Sequence, residues 1–127
     1  MSEQTEALYQ LFEGVWNGEN PDVADELVGP EYVIHDREIA DELRGPELYK
    51  TLANITRESY SDFELAIDDE VEEGNKVALR WTMTGTHENG KRVEMAAIGI
   101  NRFEDGQLVE SWTQSDTLDL MKQIEAE

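Results

Sequence analysis

The first half of the chain carries its apolar residues at helical spacing. They recur every three or four positions over residues 5–16, which predicts an amphipathic helix. Asn20 and Pro21, a favoured N-cap followed by a favoured first helical residue, predict a short second helix that ends by residue 29. The same apolar spacing predicts a third helix from residue 45 to about residue 60.

The second half alternates apolar with polar residues, which is the pattern of half-buried strands. Four long strands are predicted, over 63–68, 77–84, 93–103 and 108–115. A shorter strand over 32–36 precedes the third helix, a polar loop is expected over 37–43, and a short helix over 118–124 follows the last strand. Helices segregated from an antiparallel meander predict a single α+β domain over residues 1–127.

Three residues of equal parity stand at the end of the last predicted strand: Trp112, Gln114 and Asp116. Residues two apart in a strand share a face of the sheet. An aromatic ring, an amide and a carboxylate on one face could form the wall of a pocket. We therefore expect the other elements to close over this face.

Charge is the strongest feature of the composition, with 30 acidic residues against 10 basic ones and a formal net charge of −20. Such a surface repels the phosphates of nucleic acids and of anionic membranes, so neither partner is expected. The acids are spread along the chain, which favours a surface adapted to molar salt over that of an ordinary acidic mesophilic protein. Because molar salt shortens the Debye length to roughly 3 Å, we predict that the melting temperature rises from low salt to molar KCl.

Several kinds of site are disfavoured by the residues that are present. The chain has no cysteine and only two histidines, His35 and His87, in separate elements, so neither a metal nor a cofactor is expected. There is no apolar run long enough to span a membrane and no secretory signal at the N-terminus, which is typical of a cytoplasmic protein. His87 stands in a predicted turn and is expected to lie on the surface.

A family resemblance rests on short motifs in the same order along nearly the whole chain. They are Val15-Trp16-Asn17, 25–28, Tyr32–Asp36, Arg44–Glu47, 77–82 with Gly85-Thr86-His87, and 102–116. With these motifs the chain resembles the SnoaL-like polyketide cyclases, within the nuclear-transport-factor-two-like and ketosteroid-isomerase-like superfamily. The resemblance implies a cone of curved antiparallel sheet closed by three N-terminal helices around an apolar pocket. It also implies aldol cyclisation without a cofactor, and homodimers formed through the exposed face of the sheet.

The same resemblance maps an acid/base carboxylate onto Asp116 and a polar assistant that faces the pocket onto His35. Burial in an apolar pocket raises the pKa of a carboxylic acid, which brings it nearer the range useful for proton transfer. The residues alone also allow Asp116 to be the N-cap of the last helix, since Asp is a favoured cap. They equally allow His35 to be a buried structural histidine.

Aromatic residues supply the remaining pocket candidates: Trp16, Trp81, Tyr32, Tyr49 and Phe103. Plain core packing is the alternative for each of them. Arg80 points away from Trp81, so it lies on the outer face if Trp81 faces the core, and it could bind an anion if the faces are reversed. The predicted function is that of a cyclase or isomerase acting on a small hydrophobic ketone or ester. The alternative is a non-catalytic module for ligand binding or dimerisation.

Overall fold

The computed structural model describes residues 2–35 and 43–126. The helices are α1 Glu3–Leu11, α2 Ala24–Leu27, α3 Gly45–Glu58 and α4 Thr117–Glu125. The strands are β1 Val28–Ile34, β2 Tyr60–Glu73, β3 Lys76–His87, β4 Arg92–Glu104 and β5 Gln107–Ser115. The order confirms the predicted α+β fold. No helix within the described ranges is long and apolar enough to cross a membrane.

Ser2 precedes α1 and caps it, because its side chain accepts a hydrogen bond from the Thr5 N–H. It continues into a wider π-helical segment, Phe12–Trp16, before the chain turns at Asn17. The apolar stripe that predicts this helix is buried, and it packs with α3 against one face of the sheet.

The five strands form one open sheet in the order β1-β5-β4-β3-β2. The four long strands pair as an antiparallel meander, as predicted. The expectation of an entirely antiparallel sheet is wrong, because β1 pairs with β5 in parallel. The helix α3 and strands β2 to β4 separate these two strands along the chain, which allows a parallel pair where a hairpin would not.

The sheet has an inner face, which the helices cover, and an outer face, which they leave open. On β3 the inner residues include Val77, Leu79 and Met83, all nearly inaccessible to solvent. Trp81 shares their parity, so Arg80 lies on the outer face, where its guanidinium is 3.8 Å from the Asp68 carboxylate. The first of the two alternatives for Arg80 is therefore correct.

Several boundaries differ from the predicted ones. The first strand begins at Val28 rather than Tyr32, because the second helix ends at Leu27 and its next residue is already extended. The β3–β4 connection is a tight turn in which the N–H of His87 donates to the carbonyl of Lys91. Most of the loop predicted over 37–43 lies outside the described residues.

Candidate functional site

A cavity lies between the helices and the inner face of the sheet. The centre of a water molecule can occupy about 80 Å³ of this cavity. One bound water needs roughly 10–15 Å³ by the same measure. Six aromatic side chains form much of its wall: Phe12, Trp16, Tyr32, Tyr49, Phe63 and Trp81. Such a wall suits a ligand that is largely apolar.

Two of these aromatics form a polar pair on the helix side of the cavity. The indole Nε1–H of Trp16 donates a 2.9 Å hydrogen bond to the Tyr49 hydroxyl. Burial raises the pKa of Tyr49 well above its usual value, so the phenol stays neutral and keeps its own proton to donate. Tyr32 packs edge-on against Tyr49, with ring centroids 5.7 Å apart.

The sheet side of the cavity carries a row of hydroxyl groups from alternate residues of β5: Ser111, Thr113 and Ser115. The Ser111 hydroxyl donates to Asn101 Oδ1 at 2.8 Å, and the Asn101 amide donates to the carbonyl of Val77 at 3.3 Å. These bonds orient the inner end of the row. Within the described residues, the cavity wall contains neither a charged side chain nor a histidine.

Of the predicted pocket residues, the structure places Trp16, Trp81, Tyr32 and Tyr49 in the cavity wall, whereas Phe103 is buried outside it. The expectation that Trp112 and Gln114 form this wall is wrong, because the odd-numbered residues at this end of β5 face the cavity. Trp112 and Gln114 pair with Ile100 and Ile98 on the outer face. Trp112 is accordingly exposed, and Gln114 only borders a neighbouring cleft.

Asp116 lies beyond the last ladder pair of β5 and is exposed. Its Oδ1 accepts a 3.2 Å hydrogen bond from the Asp119 N–H, which makes it the N-cap of α4. The structure therefore favours the alternative that the residues alone allowed. Asp116 is not part of the cavity wall.

His35 belongs to a cluster on the outer face, and the expectation that it faces the cavity is wrong. It follows Ile34, which does face the cavity, so the chain's alternation turns its ring away. The ring stacks on Trp112, with centroids 5.2 Å apart, and its Nε2 is 2.5 Å from Glu110 Oε2. Arg102 donates to the other oxygen of Glu110 at 2.8 Å. Arg102, and then His35, lower the pKa of Glu110, which is therefore ionised at neutral pH.

Several polar cavity residues were not predicted as site residues, among them Asn101, Ser111, Thr113 and Ser115. The apolar spacing of α3 places Tyr49 in the core without indicating a role for its hydroxyl. Ser111, Thr113 and Ser115 alternate with the residues that were chosen, so correct parity would have found them. The described residues contain no group of three or more carboxylates and histidines that could hold a metal ion.

The comparisons with known proteins identify the family and the fold. The model of the SnoaL-like polyketide cyclase family matches residues 6–124. No protein with a curated description matches the sequence.

Solved structures resemble the chain over nearly its whole length. TsrD from Streptomyces laurentii is 26% identical, with a TM-score of 0.85 over 98% of this chain and 96% of that one. IdmH from Streptomyces antibioticus, a proposed polyketide cyclase, is 27% identical, with a TM-score of 0.82 over 97% and 99%. A proposed polyketide cyclase from Bacillus cereus is 29% identical, with a TM-score of 0.81 over 96% and 80%. The chain therefore belongs to the SnoaL-like polyketide cyclase family.

Proposed function

We propose that the protein binds a small, mainly apolar molecule with a carbonyl or hydroxyl group in the cavity between helices and sheet. One observation carries this proposal: an aromatic wall on which neutral donors converge from two sides. Tyr49 is on the helix side, and Thr113 and Ser115 are on the sheet side. The lack of charge in the described wall disfavours ionic ligands, because an unpaired charge is costly to bury.

The hydroxyl of Tyr49 is the donor best placed for a ligand carbonyl. Its oxygen already accepts from Trp16, which fixes the direction of the phenol O–H. A neutral phenol in an apolar cavity can stabilise a carbonyl oxygen and, more strongly, an enolate oxygen. We therefore also propose, as a second function that the family match favours, that the cavity promotes aldol-type cyclisation or isomerisation of such a ketone.

The cyclase proposal depends on how a proton is removed. Asp116 as the acid/base residue and His35 as its polar assistant remain predictions, but the hydrogen bonds of both side chains lie outside the cavity. The described wall has no carboxylate or imidazole to take the α-proton, so water would accept it and return a proton to the new alkoxide. The cavity would accelerate ring closure by holding the flexible ketone in a reactive conformation. Cyclisation of a candidate ketone that depends on Tyr49 but not on Asp116 would support this second function.

The binding proposal is tested with 2-acetylnaphthalene as a neutral aromatic ketone and 2-ethylnaphthalene as its counterpart without a carbonyl, both followed by quenching of tryptophan fluorescence. Tyr49→Phe should weaken binding of the ketone by about two- to tenfold, the value of one hydrogen bond. It should leave 2-ethylnaphthalene unaffected. Equal losses for both compounds would remove Tyr49 as the carbonyl donor.

A matched pair of bulky variants tests the location of the site. Thr113 lines the cavity, whereas Thr84 lies on the outer face of β3. Thr113→Phe should abolish binding of both naphthalenes, and Thr84→Phe should leave it intact. Circular dichroism establishes that both variants are folded. If Thr113→Phe binds normally, the cavity is not the site.

We further propose that a second copy of the chain covers the outer face. Ile98, Ile100 and Trp112 are adjacent there and are 56%, 45% and 39% exposed. Arg80 and Arg102 offset the neighbouring acids on this face. In a chain of net charge −20, an apolar patch flanked by two arginines is where two copies can approach with less repulsion.

Sedimentation in molar KCl tests the dimer. Ile100→Glu should convert a dimer into a monomer, because it buries an unpaired charge in the interface. Leu118→Glu is the control, since Leu118 is 68% exposed and lies on α4 rather than on the outer face of the sheet. A wild-type protein that is monomeric at micromolar concentration contradicts the proposal.

A further inference from the structure

The cavity continues into a cleft that opens beside α4. Five residues line both the cavity and this cleft: Thr56, Met83, Met95, Thr113 and Ser115. The cleft is completed by Tyr60 and by Thr117 and Leu120 of α4. The way from the cavity to the surface on this side therefore passes α4.

Few apolar contacts hold α4 in place. Leu120 is its buried residue, whereas Leu118 and Met121 are 68% and 46% exposed. The helix α1, of the same length, buries four residues, three of which are apolar residues of the core. A helix with so little buried surface is one that can open locally while the rest of the fold stays intact.

The side chain of Gln123 supplies a specific polar attachment between α4 and the sheet. Its Oε1 accepts from the Glu94 N–H at 2.9 Å, and its Nε2 donates to the Glu94 carbonyl at 2.6 Å. The last ladder pair between β4 and β5 joins Ala97 to Ser115. Glu94 thus lies where β5 has already ended, and the glutamine amide takes the place of the missing strand. The same Nε2 donates to Asp119 at 2.7 Å, which fixes the orientation of the amide.

A second side-chain amide binds the backbone of a strand in the same way and allows a comparison with α4. The amide of Asn17 bonds both the N–H and the carbonyl of Leu65, at 2.8 and 3.1 Å, on the edge strand β2. The segment before Asn17 is anchored by the buried side chains of Phe12 and Val15. Helix α4 has a smaller apolar anchor, Leu120 with the partly buried Ile124. Its attachment therefore relies more on polar bonds, those of Gln123 and a 3.0 Å bond from the Asn89 amide to the Ile124 carbonyl.

We propose that α4 is the gate of the cavity and that Gln123 is its latch. When the two amide bonds to Glu94 break, α4 swings from the cleft and the cavity opens past Thr113 and Ser115. When they form, Leu120 covers the cleft. The role inferred for α4 is to admit a small neutral ligand, so this inference rests on the proposed binding function.

The test compares Gln123→Glu with Leu118→Glu, which adds the same charge at an exposed position of the same helix. In Gln123→Glu the Glu94 carbonyl and the Asp119 carboxylate each lose a donor and face a carboxylate instead, which leaves at most the bond from the Glu94 N–H. Both are made in a Trp112→Phe background, where the two remaining tryptophans, Trp16 and Trp81, line the cavity. Acrylamide quenching then reports access to the cavity, and amide hydrogen exchange reports opening of α4.

Gln123→Glu should raise the quenching constant severalfold and speed exchange of the α4 amides by about tenfold, the factor for one net hydrogen bond. Leu118→Glu should change neither. Faster exchange with unchanged quenching would overturn the gate, and no change in either would overturn the latch. Association of 2-acetylnaphthalene should also be faster in Gln123→Glu. If this ketone binds neither protein, the binding proposal fails while the quenching result still decides the gate.

Discussion

The two faces of the sheet are built from the same strands but carry different chemistry. On the inner face, hydroxyl and amide groups are set among aromatic rings, and no charged side chain lies in the described cavity wall. On the outer face, Glu110 binds both Arg102 and His35 beside exposed Trp112 and Ile100. The most conspicuous polar cluster is therefore on the face opposite the cavity.

This difference shows why ionisable residues are a poor guide to the site in this fold. An ion pair at the surface keeps much of its hydration, whereas burying one in a cavity requires full compensation. Neutral donors such as Thr113 and Tyr49 can enter an apolar wall at less cost. The predictions below test how far the two faces differ, from the largest expected effect to the smallest.

Truncation of a large side chain should cost far more on the inner face than on the outer one. Phe103 is 1% exposed at the inner face, so Phe103→Ala should lower the free energy of unfolding by about 3–5 kcal/mol. Ile100→Ala should cost about 1 kcal/mol or less in the monomer, because its side chain is already half in water. Urea unfolding at one fixed KCl concentration measures both. Similar costs would show that the outer face is buried even in the monomer.

A methyl group at Gly99 should disturb the inner face without any change of polarity. A Cβ there would lie 2.8 Å from the Trp112 carbonyl oxygen and 3.1 Å from the Trp81 ring. Gly99→Ala should therefore cost about 1–3 kcal/mol as the strand and the indole shift. Because Trp81 lines the cavity, binding of 2-acetylnaphthalene should weaken as well. The matched control is Gly74→Ser, at a turn where a Cβ meets nothing within 4 Å; it should leave ligand binding unchanged.

The fold was largely predictable from the sequence, and the site only in part. The spacing of apolar residues and the positions of turn residues identified the long strands and α3. This spacing repeats several times within each of these elements. Which residues of a strand face the core depends on a one-residue offset. In the last strand, both the even-numbered and the odd-numbered residues formed an acceptable inner face. Trp112, Gln114 and Asp116 looked more like a site than Ser111, Thr113 and Ser115, but a one-residue shift exchanges the faces.

The parallel pairing of β1 was unpredictable for a different reason. Nothing local in Val28–Ile34 distinguishes a strand that pairs with its sequence neighbour from one that pairs with β5. The position of His35 follows from this pairing, because the pairing with β5 decides which residues of β1 face the cavity and which face outward. The Trp16–Tyr49 bond likewise joins two helices that are distant in sequence.

Asp116 provides the sharpest test of the boundary between the two faces. As an N-cap, it should tolerate Asp116→Asn with little loss, since Asn caps a helix as well as Asp does. Asp116→Ala should lower the free energy of unfolding by about 1 kcal/mol. Chemical denaturation of the two variants measures this difference. The opposite outcome has two parts: Asp116→Ala folds and still binds a ketone, and Asp116→Asn no longer turns that ketone over. The carboxylate would then be catalytic.

The ion cluster of the outer face should give the smallest effect, and one that depends on pH. Arg102, and then His35, lower the pKa of Glu110 in the folded state. The resulting stabilisation is therefore fully present above the unfolded pKa of about 4.3 and disappears as the pH falls through the lower folded value. Glu110→Gln should destabilise the protein near pH 6 by no more than about 1 kcal/mol, since such pairs are partly hydrated.

The difference between wild type and Glu110→Gln should shrink as the pH falls below about 4.3. Unfolding free energies measured at several pH values and one ionic strength follow this trend. Glu64→Gln, on an exposed carboxylate of β2, controls for the removal of one negative charge. A difference that is constant with pH would mean that Glu110 is held by packing rather than by charge. The outer face would then resemble the inner one, where neutral hydrogen bonds and packing hold the side chains.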